Sequence, residues 1–232
     1  MDHHHEPHFG SSNFIQDLVI GLSDGLTVPF ALAAGISGAV HNNAIVITAG
    51  LAEIAAGSIA MGLGGYLAGQ TAVEHYDSEL KREYDEVARV PEIEKQEVME
   101  IFASYGLKES TQKVIVEELS ANTDKWVEFM MRFELSLEKP ESNRALVSAL
   151  TIGLAYVAGG IVPLLPYFFT ETPVSGLAYS AGVTVICLFL FGYYKAVMTG
   201  QNPWVGAIKM TLIGTIAAAA AFFIAHLIAP KV

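Results

Sequence analysis

VIGLSDGLTVPFAL (residues 19–32) is an apolar run that carries one acid, Asp24, and five residues later a proline, Pro29. A carboxylate at the centre of a membrane helix costs about 2.5–3.5 kcal/mol even on the lenient insertion scale, so Asp24 needs a partner, a proton or a task. Pro29 has no N–H to give to the carbonyl of Gly25, and its ring pushes that carbonyl aside. The freed C=O is next to Asp24 in sequence, and irregular backbone at membrane depth is tolerated where it lines a polar cavity. A carboxylate and a backbone carbonyl together are hard oxygen ligands for a cation.

The rest of the chain agrees with a membrane setting. Of its 232 residues 52% are hydrophobic and 16% charged, with a net charge of −11 and a mean hydropathy of +0.42, too apolar for an ordinary soluble domain. A helix needs about 20 apolar residues to cross a bilayer. Five segments meet that length, at roughly 15–40, 44–70, 145–169, 174–198 and 204–228. The expected fold is all-α: a polytopic membrane protein of five transmembrane helices, with a cytosolic helical insert between the second and third spans.

Charge marks the insert. Residues 74–144 hold 18 of the 24 acids and 10 of the 13 Lys and Arg. The expected division is a tail (1–13), spans one and two (14–73), an acidic helical metal-binding domain (74–144) and spans three to five (145–232). The connectors AVHNN and TETPVSG carry no Lys or Arg, whereas Lys81, Arg82, Lys139 and Arg144 lie towards the insert's ends. The positive-inside rule therefore puts the insert and the N-terminus in the cytosol, and an odd number of spans puts the C-terminus across the membrane. No basic signal-peptide region precedes the first span, and the histidine-rich HHHEPH reads as a mobile tail.

The second span adds Glu53 and Met61 with Gly57 midway, all on roughly one helical face. Met61 alone would be packing. Beside two intramembrane acids its thioether suits a borderline transition metal better than Mg²⁺ or Ca²⁺. Glu53 has the alternative roles of proton carrier or structural partner for a hydroxyl. Gly50, Gly57 and Gly64 recur every seven residues, and Gly65 and Gly69 extend a small-residue stripe for close helix packing.

Within the insert, the second span is expected to continue as one helix until Pro91. Three more helices follow, in PEIEKQEVMEIFASYG up to Gly106, in ESTQKVIVEELSAN and in TDKWVEFMMRFELSLEKP, with Ser110 and Thr123 as candidate caps. Glu79, Glu83 and Glu86 share one helical face, Glu94 and Glu97 are three apart on the next helix, and Met130, Met131 and Glu134 cluster on the last. Acidic faces are ordinarily solvated surface. Here the i, i+3 pairs repel unless a cation sits between them, and the adjacent methionines repeat the oxygen and thioether mix of the membrane segment.

Catalytic chemistry finds little support. Cys187 is the single cysteine, which excludes an intrachain disulfide or a thiolate cluster. His75 has Ala72 where a di-iron bundle needs Glu three residues earlier. No phosphate-binding glycine loop or nucleophile elbow occurs. Neither an enzymatic activity, a prosthetic group nor a nucleic-acid partner is expected.

With GLSDGLTVPFALAAG in the first span, AEIAAGSIAMGLGGYLA in the second, the glutamate-rich insert, and GGIVPLLPY in the third, the chain resembles the vacuolar iron transporter family, its plant members closely, from about residue 14 onward. The resemblance implies a homodimer in the vacuolar membrane that moves cytosolic Fe²⁺ into the vacuole in exchange for protons, along a path between the subunits. It implies Asp24 and Met61 as membrane ligands and Glu53 as a pathway residue. In the insert it implies Glu83, Glu86, Glu94, Glu97, Met130, Met131 and Glu134 as metal ligands. Ligand types alone do not separate Fe²⁺ from Mn²⁺, Co²⁺ or Zn²⁺, so a manganese or broad divalent-metal exporter is the alternative, and a membrane-anchored metal sensor or scaffold a further one.

Overall fold

The backbone of residues 12–228 is described in a computed structural model; HHHEPH lies outside the described residues. Among those residues the chain is helical throughout, with no strand. The helices are α1 (Ser12–Ser37), α2 (Asn43–Arg89), α3 (Pro91–Ser104), α4 (Glu109–Ser120), α5 (Thr123–Phe133), α6 (Arg144–Leu164), continued by a 3-10 turn over Leu165–Phe168, α7 (Pro173–Met198) and α8 (Pro203–Ile228). Five are long and apolar enough to cross a membrane: α1, α2, α6 with its 3-10 turn, α7 and α8. The chain divides into two compact units, one holding Leu67–Ala145 and the other the segments on either side of it.

In the membrane-type unit, α1 packs against both α7 and α8, which pack against each other. α6 approaches α1 and α2 through glycines. Gly25 of α1 abuts the backbone of Tyr156, and Gly159 of α6 abuts Gly25 and Leu26, so any side chain at either glycine would strike backbone. This close contact needs no apolar bulk, which suits helices whose driving force in lipid is packing. On α2 the expected stripe is only partly used: Gly50, Gly57 and Gly65 face Leu164, Tyr156 and Ile152 of α6, whereas Gly64 meets nothing within 4 Å. A straight helix drifts about 20° per heptad, so after two heptads the contact passes to the next residue.

Pro29 does not end α1, which stays helical from Ser12 to Ser37. The proline is fully buried, with Gly160 of α6 beside it. The Gly25 carbonyl still loses its donor, because no N–H exists at position 29. Where α1 ends and α2 begins, polar groups are tied together: Ser37 Oγ and Tyr167 Oη lie 2.9 Å apart, and Asn43 Nδ2 donates to the carbonyl of Tyr167 at 3.1 Å and to that of Thr170 at 2.5 Å. Ser180 Oγ of α7 donates to the Pro163 carbonyl of α6 at 2.6 Å, satisfying an acceptor near two helix-breaking prolines.

The insert unit comprises the Leu67–Arg89 stretch of α2 together with α3, α4 and α5, around a core of Val87, Val98, Val116, Trp126, Val127, Met130 and Met131. The break at Pro91 and the stop at Gly106 occur as expected, Gly106 taking the left-handed backbone (φ 81°) that closes α3. The two caps differ. The N-cap of α4 is Lys108, with no side-chain cap, and that of α5 is Asn122, whose Oδ1 accepts the Lys125 N–H at 3.1 Å. The last expected helix is also shorter: it stops at Phe133, and Ser136 turns into the left-handed region (φ 55°).

Candidate metal-binding residues

Both units gather carboxylates, by different means. In the membrane-type unit Asp24 projects from the middle of α1, half-buried, and among the described residues it makes no hydrogen bond or ion pair. Glu53 of α2 has one partner, the hydroxyl of Tyr156 on α6, which donates to Glu53 Oε1. Its other oxygen, Oε2, is buried without a partner. Tyr156 also meets α1, its backbone lying against Gly25, the residue after Asp24. Gly57 makes room for the phenol, since a Cβ there would lie 2.5 Å from Tyr156 Oη.

Met61 is half-buried, one turn beyond Gly57 on the face that carries Glu53. Tyr156 is absent from the residues that sequence reasoning selects, yet it carried a signal: a tyrosine inside an apolar span must find a partner for its hydroxyl. A second omission is Asp17, two turns before Asp24 on α1 and 4% exposed. Its short distance from the start of the apolar run disguises it as a flanking charge.

In the insert unit, carboxylate oxygens of Glu83, Glu94 and Glu134 all lie within 4.8 Å of one another, a spacing that would let one ion touch all three. Glu83 comes from α2, Glu94 from the first turn of α3, and Glu134 is the C-cap of α5. Glu83 is 1% exposed and Glu94 4%, and Glu83 Oε2 is buried with no hydrogen-bond partner. Burial first, then repulsion from Glu134 and Glu86, pushes the Glu83 carboxyl up to about 7, with Arg82 opposing. Burial, then Glu97 and Glu83, pushes Glu94 up to about 7 as well. Glu134 is raised by burial and by Glu97 and Glu86.

Glu86 and Glu97 thus act on the three-oxygen cluster by charge without belonging to it. Arg82 is the local counter-ion, with nitrogens 2.7 Å from Glu79, 3.8 Å from Glu83 and 3.4 Å from Glu86. Met130 and Met131, 0% and 2% exposed and about one turn before Glu134, are built into the apolar core. Three carboxylates, one with a buried oxygen that has no hydrogen-bond partner, ringed by two more acids, form a donor set suited to a divalent cation.

Residues 15–226 match the sequence profile of the VIT family, nearly the whole described chain. The chain belongs to the VIT family. It is 51% identical to Vacuolar iron transporter 1 of Oryza sativa subsp. japonica over 95% of this chain and 88% of that protein. Vacuolar iron transporter 1 of Arabidopsis thaliana is 50% identical, covering 98% of this chain and 91% of the relative. Protein CCC1 of Saccharomyces cerevisiae is 39% identical over 92% of this chain and 69% of its own length. Each match covers more than nine-tenths of this VIT-family chain, and the family profile spans both the membrane acids and the insert acids.

Proposed function

We propose that the protein carries ferrous iron, with other divalent transition metals as secondary cargo, from the cytosol into the vacuole in exchange for protons. The observation that carries this reading is the state of the two membrane acids: Asp24 has no donor among the described residues, and Glu53 keeps one buried oxygen unpartnered. A carboxylate left in that state in an apolar helix is costly unless it meets a cation or a proton. Asp24, Glu53 and Met61 serve as ligands for the ion, and Tyr156 holds Glu53 in place.

Metal and proton compete for the same carboxylates, because the ligating form is the deprotonated one. Release of metal on one side and of protons on the other is then an exchange cycle. One subunit offers few ligands for an ion that prefers about six, and a twofold axis along the path would double Asp24, Glu53 and Met61. Support for a homodimer comes from α2, whose apolar stretch is the least buried of the five spans, at 17% against 22–44% for the others. Its uncovered face carries Ala52, Ala56, Ala60 and Gly64 at four-residue spacing, a surface on which a second helix can approach closely.

The insert gathers cations from the cytosol, Glu83, Glu94 and Glu134 binding them with Glu86, Glu97 and the thioethers of Met130 and Met131 as further ligands. Its acidic charge raises the local cation concentration. The relatives named as vacuolar iron transporters favour Fe²⁺ over Mn²⁺ as principal cargo. Uptake of ⁵⁵Fe²⁺ into proteoliposomes by Asp24→Ala tests the reading: protein inserted normally with no uptake is expected, and full uptake overturns it. Competition by Mn²⁺, Co²⁺ and Zn²⁺ in the same vesicles ranks the cargo.

A further inference from the structure

Outside residues 74–144 the chain has only three Lys or Arg, namely Lys195, Lys209 and Lys231, and after Glu171 it has no Asp or Glu. Two of the three, Lys195 in the last turn of α7 and Lys209 in the second turn of α8, line a single cavity of about 250 Å³. Thr199, Gln201 and Asn202 of the α7–α8 turn line it too, and no carboxylate does. Among the described residues neither lysine makes an ion pair. Asn202 Oδ1 is occupied in capping α8, accepting from Trp204 N–H at 3.0 Å and Val205 N–H at 3.3 Å, which leaves its NH₂ as a donor. The tight turn that brings the lysines together depends on Gly200, in the left-handed region at φ 66°.

The depth of this cavity in a bilayer is marked independently. Trp204 and Tyr194 are 62% and 64% exposed beside it, and Tyr193 stacks edge-on against Trp204 with ring centres 5.6 Å apart. Exposed Trp and Tyr at helix ends settle at headgroup level. Two unpaired ammonium groups, amide donors and no acid, at that level and between two membrane helices, match one kind of occupant.

We propose that this cavity is a binding site for the phosphate-bearing headgroup of an anionic phospholipid, held by Lys195 and Lys209. On the topology proposed above the site faces the cytosolic leaflet, the side of the insert, although the binding itself does not depend on that topology.

The test is native mass spectrometry of the full-length protein in detergent, titrated with phosphatidylinositol 4-phosphate and with phosphatidylcholine. Wild-type protein is expected to retain the anionic lipid selectively. A lysine near a headgroup is worth about fivefold in affinity, so Lys195→Gln with Lys209→Gln should weaken retention about 25-fold. The pair Lys195→Arg and Lys209→Arg should restore it, and Lys139→Gln should leave it unchanged. Equal retention of the two lipids, or undiminished retention by the double Gln variant, would overturn the proposal. Displacement of the lipid by a millimolar excess of inorganic phosphate would also overturn it, since the cavity would then be a site for small anions. Because the binding is read in detergent, a failure of iron flux in proteoliposomes would leave this result standing, and the reverse holds too.

Discussion

Asp24 and Glu53 lie in helices that supply one phenol and no cation to two acids, whereas Glu79, Glu83 and Glu86 share the guanidinium of Arg82 at 2.7–3.8 Å. The same ligand type is thus stabilised differently in two solvents. In the insert a resident cation, Arg82, offsets part of the charge of the acids on α2. In the membrane spans a fixed lysine or arginine would neutralise the acid permanently and repel the cargo, so only a neutral donor, Tyr156, is used. The contrast suits a capture site that holds ions and a transit site that must release them.

The largest expected effect tests the transit half. Glu53→Gln removes a ligand charge and leaves the Tyr156 hydroxyl bonded to an amide; proteoliposome Fe²⁺ uptake should fall by roughly 100-fold, the scale of losing one charged ligand to a buried ion. Retention of more than half the uptake would assign Glu53 a structural role. Tyr156→Phe is milder. It leaves Glu53 in place but with both oxygens unheld, and the loss of one hydrogen bond to a charged group, about 1.5–3 kcal/mol, predicts a drop in uptake of roughly tenfold or more. An unchanged rate would show that the phenol does not position the acid.

On the capture side, Glu83→Ala with Glu86→Ala should weaken Co²⁺ binding by the full-length protein about tenfold or more, while uptake slows only a few-fold because the membrane ligands remain. Abolished uptake would mean the two regions are not separable in this way. The pH dependence follows from Glu83 and Glu94, both pushed up to about 7. A carboxyl with a raised folded-state value contributes stability below its unfolded value of about 4.5, and that contribution is lost as pH rises through about 7. The metal-free insert should therefore melt at lower temperature at pH 8 than at pH 5.5. Metal displaces the same protons, so Co²⁺ affinity should climb over that interval, about tenfold per pH unit for each proton released. A flat profile would contradict the protonated state of the cluster.

The smallest effect is local: Asn122→Ala should cost about 1 kcal/mol at the start of α5, seen as a small fall in the insert's melting temperature. Thr123→Ala should cost less than that, since its hydroxyl is not the cap.

Much of this comparison was readable in the sequence, because lipid leaves so few options for an acid. Asp24, Glu53 and the five spans follow from hydropathy and from charge in the wrong solvent, and Pro91 and Gly106 set the limits of α3 by backbone chemistry alone. What escaped are relations between distant segments. Which three of the insert's acids would converge depends on how α2, α3 and α5 pack, and periodicity within one helix cannot supply that. Tyr156 lies 103 residues from the glutamate it holds. The cap of α5 was missed by one position because Asn122, Thr123 and Asp124 are all good cap residues in a row, and only the backbone shows which one precedes the first helical turn. At Pro29 the expected span of 15–40 runs on as α1 does, the missing N–H taking one donor from the helix without ending it.

The exchange of iron for protons at Asp24 is tested most directly in one set of proteoliposomes that reports both. Fe²⁺ is added outside, a pH-sensitive dye is sealed inside, and wild-type protein is compared with Asp24→Ala. The account predicts that wild-type vesicles gain iron while their lumen becomes more alkaline, and that Asp24→Ala vesicles do neither. Iron entry with no change in luminal pH, or undiminished iron entry in the variant, would contradict it.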